Sequence, residues 1–274
     1  MNKITDHPSI AARFCFDNVT LTLFTDGRMT ISHSYQPGPD DVRIPRNFTF
    51  VDSPVDYINP RNEFYRFLSL TSTSNQELLT KLSAIGYLLC NRMPRTFDRS
   101  KAILCVNEQS SYCATGKSLF LSAVAGYCHS AYADAAESES PFWLSEIKPY
   151  TNLLVLDDLP RNRSLLGFFY LFKSTWTIHR KARSPLVIPR EKAPYILAAT
   201  NLPKSKLRKD GSFRRRFCVL EFSSYFNAEY RPIDEFGHCL FHDWDCDQWN
   251  LFDNFMIYCI RQYIRGYVLG FSLI

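Results

Sequence analysis

Two absences narrow the reading of this chain before any motif is considered. No Cys-x-x-Cys pair occurs among its 9 cysteines, an odd number. The N-terminus carries charged and polar residues early and has no apolar signal core. Together these point to reduced thiols in a cytoplasmic setting, not to a secreted disulfide scaffold. No apolar run approaches the roughly 20 residues that a spanning helix needs. The densest run, residues 165–172, contains Gly167 and reads as buried core. No membrane partner is expected.

What is present suffices for a sizeable core. The chain has 274 residues, 46% of them hydrophobic, which suits one large domain or a domain with an accessory segment. A net charge of +5 permits a nucleic-acid partner without demanding one.

The organising stretch runs from Lys101 to Phe120. Ala102 to Val106 form a short apolar run, as expected of a central parallel strand. A loop follows and ends in Thr115-Gly116-Lys117-Ser118, the second half of a phosphate-binding loop. In such a loop, backbone N–H groups and a helix N-terminus hold phosphates, the lysine reaches the terminal phosphates, and the hydroxyl binds Mg²⁺. The expected phosphate-binding set is Ser111, Cys113, Ala114, Thr115, Gly116, Lys117, Ser118 and Leu119. Ser111 stands where the usual pattern has glycine, and serine lacks glycine's freedom at positive φ. Residues 118–134 read as the helix after the loop.

A second apolar strand, Leu153 to Leu156, ends in Asp157-Asp158. Ligands of parallel α/β sheets sit at the carboxyl ends of strands. There one carboxylate, Asp157, can hold Mg²⁺ and its neighbour can accept a proton from an attacking water. The competing reading is a plain turn before Leu159-Pro160. A third strand, Tyr195 to Ala199, ends in Thr200-Asn201, whose amide can orient water or cap a turn. Residues 213–222 read as a strand that starts with Arg214, Arg215 and Arg216, whose alternation would point at least one at a partner.

Between the second and third strands, residues 163–176 read as a helix entering a strand. Trp176 to Ile178 and Leu186 to Ile188 then flank a turn, giving a β-hairpin with His179, Arg180, Lys181 and Arg183 at its tip. Such a tip suits phosphate-backbone contact, and equally a solvated hairpin. Elsewhere, residues 1–60 read as β-rich, with a hairpin at Asp26-Gly27 and a further strand within 42–51. Residues 61–95 switch to helical spacing, with a cap for a second helix at Ser72 to Asn75. Residues 141–147 read as a short strand, and 247–268 as a C-terminal helix. His238, Cys239, His242 and Cys246 match no familiar zinc spacing. The apolar end, Phe271 to Ile274, reads as that of a fragment.

In this order, Gly116-Lys117-Ser118, Asp157-Asp158, Asn201 and the arginine run resemble the superfamily III helicases, above all primase-helicases of phages and mobile elements. The likeness covers residues 60–225 and includes Gly86-Tyr87-Leu88-Leu89 in the preceding helix. It implies an α/β, AAA+-like P-loop NTPase core at 96–225, with a central parallel sheet flanked by helices and a possible oligomerisation layer at 61–95; the segment 226–274, beyond the likeness, reads as helical from its own periodicity. It implies ATP and Mg²⁺ as cofactors, single-stranded DNA as partner and a homo-oligomeric ring, commonly a hexamer. A primase or an origin-binding protein is a further implied partner, and a bacterial host cytoplasm the implied compartment. Lys117 and Ser118 match the Walker A residues, Asp157 and Asp158 the Walker B pair, and Asn201 the motif C asparagine. Arg215 or Arg216 matches the arginine finger given by a neighbour. The loop at His179 to Lys181 matches the hairpin that grips single-stranded DNA in the channel. No primase motif is visible. The expected function is therefore an ATP-driven DNA helicase. The alternatives are a non-catalytic nucleic-acid-binding or assembly protein with a degenerate nucleotide site, and a small-molecule P-loop kinase.

Overall fold

The computed structural model describes residues 8–93, 101–109, 114–160, 165–172, 175–207 and 210–268. The chain opens with β1 (Ile10–Phe16), β2 (Thr20–Phe24), β3 (Met29–Ser32) and β4 (Val42–Ile44). They form one sheet in the order β3-β2-β1-β4, antiparallel except for β1 with β4. The β2–β3 turn is the expected one at Asp26-Gly27, where Gly27 has φ 87°. The further strand is shorter than the sequence suggested. β4 ends at Ile44, because α6 (Cys246–Val268), the last helix, captures the next backbone groups. Asn250 and Asn254 accept from Thr49 N and Val51 N at 2.9 and 2.8 Å, and Arg46 forms a bidentate pair with the buried Asp253.

Two helices come next, α1 (Glu63–Leu70) and α2 (Asn75–Leu89). Asn62 caps the first, and Ser74 caps the second by accepting from Glu77 N at 3.1 Å. Gly86 lies where α2 crosses α6, and a Cβ there would sit 2.3 Å from the Cys259 carbonyl oxygen.

The remainder builds the central sheet. In chain order it contributes β5 (Ala102–Asn107), α3 (Lys117–Ala125), β6 (Ser130–Tyr132), β7 (Leu153–Leu159), β8 (Thr175–Arg180), β9 (Arg183–Pro189), β10 (Tyr195–Pro203), α4 (Gly211–Arg216), β11 (Phe217–Phe222) and α5 (Pro232–Phe236). Five strands pair in the order β11-β5-β10-β7-β6, and every pairing is parallel. Both faces are covered, as parallel sheets require. From β5, Ile103 and Cys105 pack with α1, α2, α3, α6 and the N-terminal sheet. Ala102, Leu104 and Val106 face a second core formed by Phe168, Leu171, the hairpin's Trp176, Ile178 and Ile188, and Phe213 of α4. The whole is an α/β fold of the P-loop NTPase kind.

Three local expectations are corrected and a fourth, the helix that enters a strand, is refined. The helix after the phosphate loop ends at Ala125, not 134, because turn bonds at Tyr127 and Cys128 break it and β6 then pairs with β7. Residues 141–147 are turns, not a strand. Ser145 N and Ile147 N donate three residues back, at 2.9 and 3.0 Å, so these amides do not join a ladder. Residues 165–172 wind as a 3₁₀ helix. Arg214 to Arg216 lie on α4, not on a strand, because Asp210 caps that turn by accepting from Phe213 N at 3.0 Å.

Candidate nucleotide site

β5 ends in Asn107, which is fully buried and polar at the end of an apolar run. Ala114, with φ 64°, and Gly116, with φ 88°, lead into α3, which begins at Lys117. Gly116 is required twice over. Its φ is left-handed, and a Cβ would fall 2.6 Å from Cε2 of Phe67 on α1. Gly116, the N-cap of α3, has no side chain with which to cap it, and the N-terminus of a helix favours negative charge. Ser111 and Cys113 lie outside the described residues.

Lys117 is buried, and its ammonium donates to Asn107 Oδ1, to Thr115 Oγ1 at 3.2 Å and to Asn201 Oδ1 at 3.1 Å. Thr115 also donates to Asn107, at 2.9 Å. Asn201, at the end of β10, donates its amide to Asp158 Oδ1 at 2.8 Å. Asp158 has φ 53°, a conformation that Asp tolerates better than most residues, and its N–H donates to Asp157 Oδ1 at 3.0 Å. β10 lies between β5 and β7. Three neighbouring strands therefore deliver two amides and two carboxylates, and the helix after the first of them delivers an ammonium, into one connected set.

That set lines an open cleft of about 420 Å³. Ala114 to Leu119, Asp157, Asp158, Ala199 and Asn201 form its walls, together with Arg231 and Pro232. Ser118 and Asp157 thus share the cleft. Asn107 and Arg231 were not singled out in the sequence. The signal for Asn107 was available, since a buried strand ends there in an amide. Arg231 follows the last strand at a distance that no motif marks.

The other expected residues lie elsewhere. β11 pairs Phe217 with Ala102 and Phe222 with Asn107. The arginines before Phe217 therefore stand at the edge where the parallel strands begin, opposite the cleft. Six residues of strand at about 3.3 Å each put roughly 20 Å between the two edges. Arg214 and Arg215 are exposed. Arg216 is engaged within its own chain, donating to Ser212 Oγ at 2.7 Å and lying 4.6 Å over the Phe169 ring.

The hairpin is present as expected. β8 and β9 form their own two-stranded sheet, Arg180 faces Arg183, and Lys181-Ala182 make the turn with Ala182 at φ 53°. His179, Lys181 and Arg183 are exposed, while Arg180 donates to the Ser184 carbonyl at 2.8 Å. The Lys181 ammonium lies 5.9 Å over the ring of Phe142, an exposed aromatic that the misread 141–147 strand had hidden. Among the described residues no group of three or more His, Cys, Asp and Glu is placed to hold a metal. His238 pairs with Glu63 and His242 with Asp243. No helix among the described residues is long and apolar enough to cross a membrane.

No family model matches the sequence, and no curated protein does. Similar solved structures exist. The A form apo structure of the NrS-1 C-terminal region is 13% identical over 93% of this chain and 66% of that one, with a TM-score of 0.47. A second A form apo structure of the same region gives 13% identity, 92% and 65% coverage and a TM-score of 0.41. A JCV helicase bound to a thiazolopyridine compound gives 13% identity, 78% and 68% coverage and a TM-score of 0.38. The chain thus spans slightly under two thirds of the NrS-1 chains.

Proposed function

We propose that this chain is the motor of a superfamily III-type DNA helicase, hydrolysing ATP between the subunits of a ring that moves along single-stranded DNA. The observation that carries the reading is the hydrogen-bonded run from Lys117 through Asn201 to Asp158, within one cleft. Those groups fit a magnesium-bound triphosphate. Lys117 would exchange Asn107 and Thr115 for the terminal phosphates. Ser118 and Asp157 would hold Mg²⁺, which supplies positive charge against the phosphates when bound. Asp158 would take the proton of the attacking water, and Asn201 would fix that water and the carboxylate together.

Arg215 stands at the far edge of its own sheet and is exposed, so its role would be at the site of another copy. Such a head-to-tail contact closes into a ring when the rotation allows. Arg216 is the weaker candidate, since Ser212 and Phe169 already hold it. His179, Arg180, Lys181 and Arg183, with Phe142 beside them, would contact DNA by charge and stacking. The hairpin is inserted in the crossover between β7 and β10, the strands that carry Asp158 and Asn201. A change at the phosphates therefore has a short covalent route to the DNA contact.

The test is steady-state ATP hydrolysis with and without single-stranded DNA. Lys117→Ala should lower turnover by about 10²–10³-fold, the scale of losing one preorganised charge contact. Equal turnover in the variant and the parent would contradict the assignment.

A further inference from the structure

Arg231 is the one cation besides Lys117 on the described walls of the phosphate cleft. Without it, two carboxylates, Asp157 and Asp158, would face a single ammonium. A triphosphate entering that cleft needs more positive charge than Lys117 provides. Arg231 is built to provide it. Its backbone is fixed, because Arg231 N donates to Asp234 Oδ2 at 2.8 Å at the start of α5. The segment around it is fixed too. Glu235 accepts from Arg66 of α1 and from the hydroxyls of Tyr225 and Tyr230, both at 2.6 Å. The guanidinium itself is held loosely. The side chain is 62% exposed, and Nε lies 3.6 Å from Asp234 Oδ2, a separation and exposure at which ion pairs are weak.

We propose that Arg231 is an intramolecular ligand of the nucleotide's phosphates, paired with Asp234 while the cleft is empty and drawn to the phosphates when it fills. This rests on the reading of the cleft as a nucleotide site. It adds a second cation from the same chain, distinct from any arginine supplied by a neighbour.

The experiment is calorimetric titration of the full chain with Mg-ATP and, separately, with inorganic tripolyphosphate. Arg231→Ala should weaken both by about tenfold, the size of one charge-assisted contact. Arg231→Lys should recover part of the loss, since it restores charge without the planar fork. Asp234→Asn, which frees the guanidinium, should leave affinity unchanged or raised. Parent-like binding of both ligands by Arg231→Ala would overturn the proposal, while Lys117→Ala reports separately on the nucleotide site. A loss for ATP with tripolyphosphate unaffected would also overturn it, by moving Arg231 to the base or ribose. A folded parent that binds neither ligand would sink the nucleotide reading and this proposal together.

Discussion

The two edges of the central sheet are built from the same strands and could hardly differ more. At the edge where the strands end, left-handed backbone at Ala114, Gly116 and Asp158 surrounds an open cleft, and polar side chains from β5, β7 and β10 converge on one another. Backbone in such regions persists only where its surroundings hold it, and clusters at functional sites. At the edge where the strands begin, a capped helical turn presents Arg214 and Arg215 to solvent, and the hairpin's base packs beneath. One edge gathers Lys117, Asn201 and two carboxylates around an open cleft, and the other displays two exposed arginines that form no ion pair among the described residues. The contrast teaches that the cleft and the exposed arginines face apart, so on the proposed reading a second copy would have to join them.

The strongest way to break this comparison acts on the receiving edge. Gly116→Ala places a methyl group against Phe67 at a φ that alanine resists. It should destabilise the fold by about 1–3 kcal/mol and abolish nucleotide binding, measured by thermal melting with and without Mg-ATP. An ordinary melt with an intact nucleotide shift would show that the left-handed turn is dispensable.

A second variant sharpens the role of the displaying side. His179→Ala with Lys181→Ala should leave basal ATP hydrolysis in place. It should weaken single-strand binding and lower its salt slope by about 0.7 for the lost Lys181 contact. Unchanged affinity would remove the hairpin from the mechanism.

The smallest effect concerns what supports the receiving edge from behind. Lys81 is buried, donates to the Thr71 carbonyl at 2.7 Å and to Ser72 Oγ at 3.1 Å, and lies 4.2 Å over Phe222. Burial pulls its pKa down to about 7. The unfolded chain keeps that proton to a higher pH and so binds more protons above pH 7. Stability gained from Lys81 must therefore rise with pH from about 7 upward. Between about pH 7 and 8, where unfolded cysteines with a pKa of about 8.5 are still mostly protonated, the parent's melting temperature should climb more steeply than that of Lys81→Met. Parallel slopes would show that Lys81 does not titrate in this range.

Much of the receiving edge was legible in the sequence, because its chemistry is local. An apolar run followed by Gly-Lys-Ser, or one ending in Asp-Asp, states both its strand and its polar tip. The structure brings Lys117, Asp158 and Asn201 together in one cleft. The alternating hairpin was legible for the same reason, but its strands run further than expected, to Arg180 and from Arg183, and leave Lys181-Ala182 as the turn. What sequence hid was set by tertiary context. The 42–51 strand gave way to side chains of a helix 200 residues further on, with Asn250 and Asn254 taking its amides. The arginines moved from strand to helix through a single cap at Asp210. Residues 141–147 had the apolar content of a strand and the bonding of turns, which concealed Phe142. Arg231 had no local signal, since its place in the cleft comes from the docking of its segment on α1 through Glu235 and Arg66.

The complementarity of the two edges has its most direct test in mixed assemblies. Arg215→Ala keeps the cleft and lacks the displayed charge, whereas Lys117→Ala keeps the charge and lacks the cleft. Mixed in varying ratio, the pair should hydrolyse ATP faster than either variant alone, because some interfaces then join an intact cleft to an intact arginine. If no ratio exceeds the two single variants, the edges do not meet and the subunit-interface account is wrong.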